Sequence, residues 1–99
     1  MKGSAIQTDI LQWAEAMDYY AVNIITASKS GTHDIHLCAR GQFYAIEVKG
    51  KGDIESKLQQ VKARKVRNAG GIYILARSLD DVVVTIRQRI SNPMHDFAI

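Results

Sequence analysis

A single cysteine, no long apolar run and little charge imbalance already exclude several classes of protein. One cysteine, Cys38, rules out an intrachain disulfide and fits a reducing compartment. No apolar stretch approaches the roughly 20 residues that span a bilayer, and no N-terminal run has the layout of a secretory signal. No internal repeat, low-complexity tract or linker interrupts the 99 residues. Thirteen Lys and Arg against ten Asp and Glu leave a net charge of +3, which suits a nucleic-acid partner without demonstrating one. A hydrophobic content of 46% and a charged content of 23% are ordinary for a globular chain. The expectation is one soluble domain over residues 1–99, with no membrane partner. Only the tail from about Ser91 to Ile99 reads as separable, either flexible or exchanged between subunits.

Local patterns then set an order of elements. Ser4 to Gln7 reads S-x-x-Q, a capping-box pattern, and Ile6, Ile10, Trp13, Ala14 and Met17 follow at helical spacing. They predict a helix from about Ala5 to Met17, with Trp13 and Met17 in the core. Tyr19 to Thr26 is rich in aromatic and β-branched residues and reads as a strand. A polar loop containing Gly31 comes next. Two strand-like runs then flank Arg40-Gly41, a hairpin signal. Ser56 to Gln59 repeats S-x-x-Q, so a second helix should run to about Ala69, stopped by Gly70. "GIYILAR" is a short apolar strand, and Ser78 caps "LDDVVVTIRQRI". Its aspartates suit a helix N-terminus, whereas its Val82-Val83-Val84 run favours a strand by propensity. The predicted order α-β-β-β-α-β-α gives a mixed sheet with helices on its faces.

The stretch "FYAIEVKG", Phe43 to Gly50, is the informative one. Its first half is apolar on both faces, as in a central strand, yet it carries Glu47 and Lys49. A two-residue turn at Arg40-Gly41 sets Ala39 opposite Gln42 and, counting outward, Asp34 opposite Glu47. Directly opposed side chains share a face, and Lys49, two residues past Glu47, shares it too. Like charges opposite each other are destabilising, and burial worsens the repulsion. A divalent cation with oxygen ligands is the natural compensation, because Mg²⁺ takes one or two carboxylates and keeps several waters. An exposed Glu–Lys surface pair is the ordinary meaning of E-x-K alone. The apolar strand and the in-register Asp34 weigh against it.

With those residues in place, "SGTHDIHLCARGQFYAIEVKG" resembles the core of the PD-(D/E)XK nuclease superfamily. It is most similar to the small standalone form of the virus-type replication–repair nuclease (VRR-NUC) domain. The matching positions are Gly31 and Asp34, then Glu47-Val48-Lys49, then Gln59 and Gly70-Gly71, with "IQTDILQW" similar to the family's first helix. The likeness runs from about Ile6 to Asp81; the order and spacing of the pieces carry it. It implies an α/β, restriction-endonuclease-like αβββαβ core and metal-dependent hydrolysis of DNA phosphodiesters. Asp34 and Glu47 would ligate Mg²⁺ or Mn²⁺ with the Val48 carbonyl. Lys49 would orient or help activate the attacking water, and Gln59 would support the site from the second helix. The family's proline before the first acid is His33 here. Its first-helix glutamate has Gln7 as the nearest match, with Asp9 and Glu15 as the other candidates. Standalone relatives imply branched DNA such as four-way (Holliday) junctions, a homodimer that supplies two active sites, a repair role, and a cytoplasmic, bacterial or phage-encoded origin.

The remaining features have plainer readings. Gln59, Ala63 and Val66 share a helix face, so Gln59 is either a site support or simply the last residue of its capping box. The basic run after E-V-K ordinarily marks a solvated face. Beside a nuclease-like site, Lys51, Lys57 and Lys62, with Lys29 in the preceding loop, become candidates for phosphate contact. His33 and His36, three apart, would point to opposite faces of a strand and cannot chelate one ion together. Cys38 reads as a small packed residue rather than a nucleophile. Leu58 and Val61 lie off the Gln59 stripe, where a partner subunit could cover them. The rival to a nuclease is a catalytically weak or inactive DNA-binding or assembly module that kept the fold.

Overall fold

The computed structural model describes residues 3–25 and 34–92. Lys29, Gly31, His33 and the tail beyond Asn92 lie outside them. The elements are α1 (Gly3–Ala16), β1 (Tyr20–Asn23), β2 (Ile35–Ala39), β3 (Gln42–Val48), α2 (Lys57–Asn68), β4 (Ile72–Ala76) and α3 (Leu79–Ser91). The sheet has the order β1-β2-β3-β4. β1–β2 and β2–β3 are antiparallel, and β3–β4 is parallel with α2 as the crossover. The architecture is the mixed, helix-flanked α/β sheet expected, and β3 is an interior strand, paired on both edges.

One face of the sheet holds the main core. Ile35, Leu37 and Ala39 on β2, Tyr44, Ile46 and Val48 on β3, and Ile74 and Ala76 on β4 pack against Ile6, Ile10 and Ala14 of α1 and Val82 and Ile86 of α3. The alternation along β2 and the helical spacing on α1 and α3 are what a one-sided core requires. The opposite face is thinner: α2 lies over β4 and buries Ala63. The register of β2–β3 runs from Ala39↔Gln42 to Ile35↔Ile46, the pairing that a two-residue turn dictates. Arg40 and Gly41 both have positive φ, 53° and 82°, as a type I′ hairpin turn requires.

Four expectations change. α1 already includes Gly3, so Ser4 lies inside the helix and its S-x-x-Q does not cap it; Thr8 Oγ1 instead donates to the Ser4 carbonyl. β1 starts at Tyr20 rather than Tyr19, because Asp18 takes a positive φ of 61° and Tyr19 N–H still bonds Ala14 O, and it ends at Asn23; Thr26 lies outside the described residues. Met17, beyond the last turn of α1, is 43% exposed, whereas Trp13 packs on the core's rim. Cys38 is exposed, because no helix covers that part of the sheet face among the described residues. The second S-x-x-Q forms a full capping box: Ser56 accepts from Gln59 N, and Gln59 Oε1 accepts from Ser56 N. The valine run of α3 is helical because Ser78 caps it, accepting from Asp81 N, and Val82 and Val83 are buried.

The α2–β4 link depends on two glycines. Gly70 has φ +95°, the left-handed position that ends a helix. At Gly71 an added Cβ would sit 2.8 Å from Val66 Cγ1 and 3.0 Å from Phe43 Cδ2. Gly71→Ala should therefore cost about 1–3 kcal/mol through overpacking. The check is urea unfolding, in which the midpoint should fall at unchanged m-value.

Candidate active site

The site forms where β2 begins and β3 ends. Asp34 immediately precedes β2 and is tied to both neighbouring strands: its carbonyl accepts from Ile24 N at 2.7 Å, and its Oδ2 accepts from Val48 N at 2.8 Å. Continuing the observed register places Asp34 opposite Glu47, at the about 5 Å separation of paired Cα atoms. Glu47 is 3% exposed and is the one buried charged residue among those described. Its Oε1 is buried with no hydrogen-bond partner among the described residues. Lys49 Nζ lies 3.7 Å from Glu47 Oε2, the partner that the E-x-K spacing predicts.

The electrostatics follow from this crowding. Burial pushes the Glu47 carboxyl up, and the neighbouring Asp34 carboxylate pushes it further, from 4.5 to about 7, against the opposing pull of the Lys49 ammonium. The pair offers hard oxygen donors with one buried oxygen unsatisfied, a donor set that fits Mg²⁺ or Mn²⁺ rather than a softer metal. Among the described residues no three His, Cys, Asp or Glu side chains cluster. The carboxylates thus number two, and waters would have to complete an ion's shell. The Val48 carbonyl belongs to the same strand end.

The other sequence candidates are distributed around this centre. α1 approaches from the opposite face of the sheet, where a Cβ on Gly3 would lie 4.0 Å from Val48 Cγ1; Gln7 is half-buried one turn further along. Asp9 is half-buried and Glu15 exposed. Gln59 stands in the first turn of α2, with its Oε1 engaged in the capping box. Lys51 and Lys57 are exposed, and Lys62 is half-buried. Lys29 lies outside the described residues. Sequence reasoning overlooked Arg77. Its Nη1 donates to Gly50 O at 2.9 Å and its Nη2 to Asp53 O at 2.7 Å. Lys49 N donates to Ala76 O next door. Arg77 thereby staples the loop that follows Lys49 onto the end of β4. An arginine closing an apolar strand, facing a Gly-rich loop, was the available signal.

The raised Glu47 pKa makes a prediction about stability. The unfolded carboxyl titrates near 4.5 and the folded one near 7. The folded state thus holds the proton more tightly, and this group's contribution is lost as pH rises across that window. Burial lowers the pKa of His36, which contributes in the opposite sense. The difference between wild type and Glu47→Gln isolates the Glu47 effect. In EDTA, urea unfolding from about pH 4 to about pH 8 should show the variant gaining stability relative to wild type as pH rises. A constant difference would remove the assigned cause.

No protein-family model matches the chain, and no curated protein matches its sequence. A solved structure described as "VRR_NUC domain" superposes with a TM-score of 0.73 at 20% identity, covering 86% of this chain and 94% of that one. The chain therefore has the fold of a VRR-NUC domain, a restriction-endonuclease-like fold.

Proposed function

We propose that the chain is a metal-dependent, structure-selective DNA endonuclease that hydrolyses phosphodiester bonds in branched DNA such as four-way junctions. The observation that carries this reading is the pairing of Asp34 with the buried Glu47, with Lys49 3.7 Å from the latter. A protein gains nothing in stability by setting a second carboxylate opposite a buried one. Asp34, Glu47 and the Val48 carbonyl are the groups that would hold the ion. A bound Mg²⁺ or Mn²⁺ supplies Lewis acidity toward the phosphoryl oxygen and lowers the pKa of a water. Lys49 orients the water and balances the charge that develops on the phosphate. Gln59 steadies that end of α2, and Gln7 is the first-helix residue assigned to the site. Lys29, Lys51, Lys57 and Lys62 contact phosphates and position the strand without reading sequence. A two-fold homodimer would supply two active sites for symmetric cutting. The exposed Leu58, at 46%, suits a subunit contact.

A second reading has one observation in its favour: among the described residues no third acidic side chain joins the pair. In that case the chain is a DNA-binding or assembly module with weak or no catalysis.

Nicking of a labelled four-way junction and a matched linear duplex, with Mg²⁺, Mn²⁺ or EDTA, separates the two. Wild type should cut the junction in either metal and not in EDTA. Glu47→Ala should abolish cutting while DNA binding persists, and Lys49→Met should slow cutting by about 100- to 1,000-fold. Tight binding without cutting in either metal establishes the second reading. Light scattering at micromolar concentration should give a dimer mass.

A further inference from the structure

The carboxylates do not stand alone on their face of the sheet. Asp34 and Glu47 form the last row, His36 and Ala45 the next, and Cys38 and Phe43 the third, with Val22 and Tyr20 extending the second and third rows onto β1. α2 packs over β4, and among the described residues of β1 and β2 this face is exposed at Tyr20 and Cys38 and half-buried at Val22 and His36. The exposed part is aromatic. Tyr20 is 70% exposed and Phe43 39% exposed, and the Phe43 ring meets His36 edge-to-face at 5.2 Å. Strand rise puts the His36 row about 7 Å and the Tyr20 row about 14 Å from the acids. Those are two and four nucleotide steps at the stacked spacing of about 3.4 Å.

Cationic side chains flank the α2 side, the acid end and the hairpin tip, whereas Glu15 and Asp18 lie beside Tyr20. Arg67 stacks over Tyr73 at 5.1 Å, which turns that flank of α2 toward β4. Lys62, five residues earlier, is half-buried and lies about 140° round the helix from Arg67. Lys49 stands at the acid end of the strip, and Arg40 is exposed at the hairpin tip. A patch of exposed aromatic rings flanked by cations is complementary to unpaired nucleotides, whose bases stack and whose phosphates carry charge. It matches a fully paired duplex poorly, because paired bases keep their faces inside the helix.

The geometry points to this partly exposed sheet face as a stacking platform for unpaired bases of DNA, with Tyr20 as its outermost ring, seating a single-stranded segment two to four nucleotides from the phosphate at Asp34 and Glu47. The assignment rests on the proposed nuclease reading and deepens it. Among branched substrates, those with unpaired nucleotides beside the cut are preferred over those fully paired there.

The test measures binding in a Glu47→Gln background, so that the strand stays uncut. The probes are DNA with an unpaired 2-aminopurine segment and a fully paired control. Tyr20→Ala should weaken binding of the unpaired probe by roughly tenfold and leave the duplex unchanged. Tyr20→Trp should restore affinity and quench the 2-aminopurine. Lys62→Ala should weaken both probes alike. Tyr20 lies outside the core, so these variants keep the wild-type circular dichroism. Equal loss on both probes, no loss on either, or no DNA binding by the unsubstituted protein overturns the platform. Its failure leaves the nuclease reading to the separate Glu47→Ala cutting result. Tyr20-dependent binding of unpaired DNA by a protein that never cuts would keep the platform and remove the nuclease.

Discussion

The tight turn at Arg40-Gly41 is the constraint on which the site depends. Both turn residues take positive φ, so two residues suffice to reverse the chain. That choice fixes the β2–β3 register, and the register sets Asp34 against Glu47. A turn longer by one residue would move Asp34 to the other face and leave Glu47 opposite an apolar side chain. The geometry of the carboxylate pair is thus decided six residues away from it, by backbone sterics at an exposed loop.

Much of the surrounding structure holds that pair in a place it would not choose. Val48 N–H and the β1 end clamp Asp34. The apolar face of β3 is locked against α1 and α3 through Tyr44, Ile46 and Val48, so Glu47 cannot rotate away from its neighbour. Lys49 offsets part of the repulsion, and Arg77 fastens the loop behind it. Local destabilisation of this kind, held by a rigid scaffold, is typical of binding and catalytic centres. The asymmetry of the sheet matters equally. One face carries two helices and nearly all the core, whereas among the described residues the other carries α2, packed on β4.

How much could be read beforehand depended on the range of the interaction. The hairpin and its register, the second capping box, the crossover helix and the Glu47–Lys49 pair are local in sequence, and period-two or period-four spacing reveals them. Tyr19 falls outside β1, because propensity in Tyr19 to Thr26 says nothing about where Asp18 turns the chain. Met17 was assigned to the core by periodicity, which continues past the point where α1 ends. Arg77 escaped notice because its partners, Gly50 and Asp53, are more than twenty residues away.

The chain's own residues thus settle the element order, the turn, the facing carboxylates and the lysine beside them, since each follows from dihedral preference and alternation over a few positions. Which side of the sheet each helix covers is a different matter. It is decided when α1, α2 and α3 compete to bury apolar area against one sheet, a choice made by the whole molecule at once. That packing brings Glu47 to 3% exposure, pushes its carboxyl to about 7 and leaves Tyr20 and Cys38 in solvent, because burial depends on neighbours that no local pattern specifies.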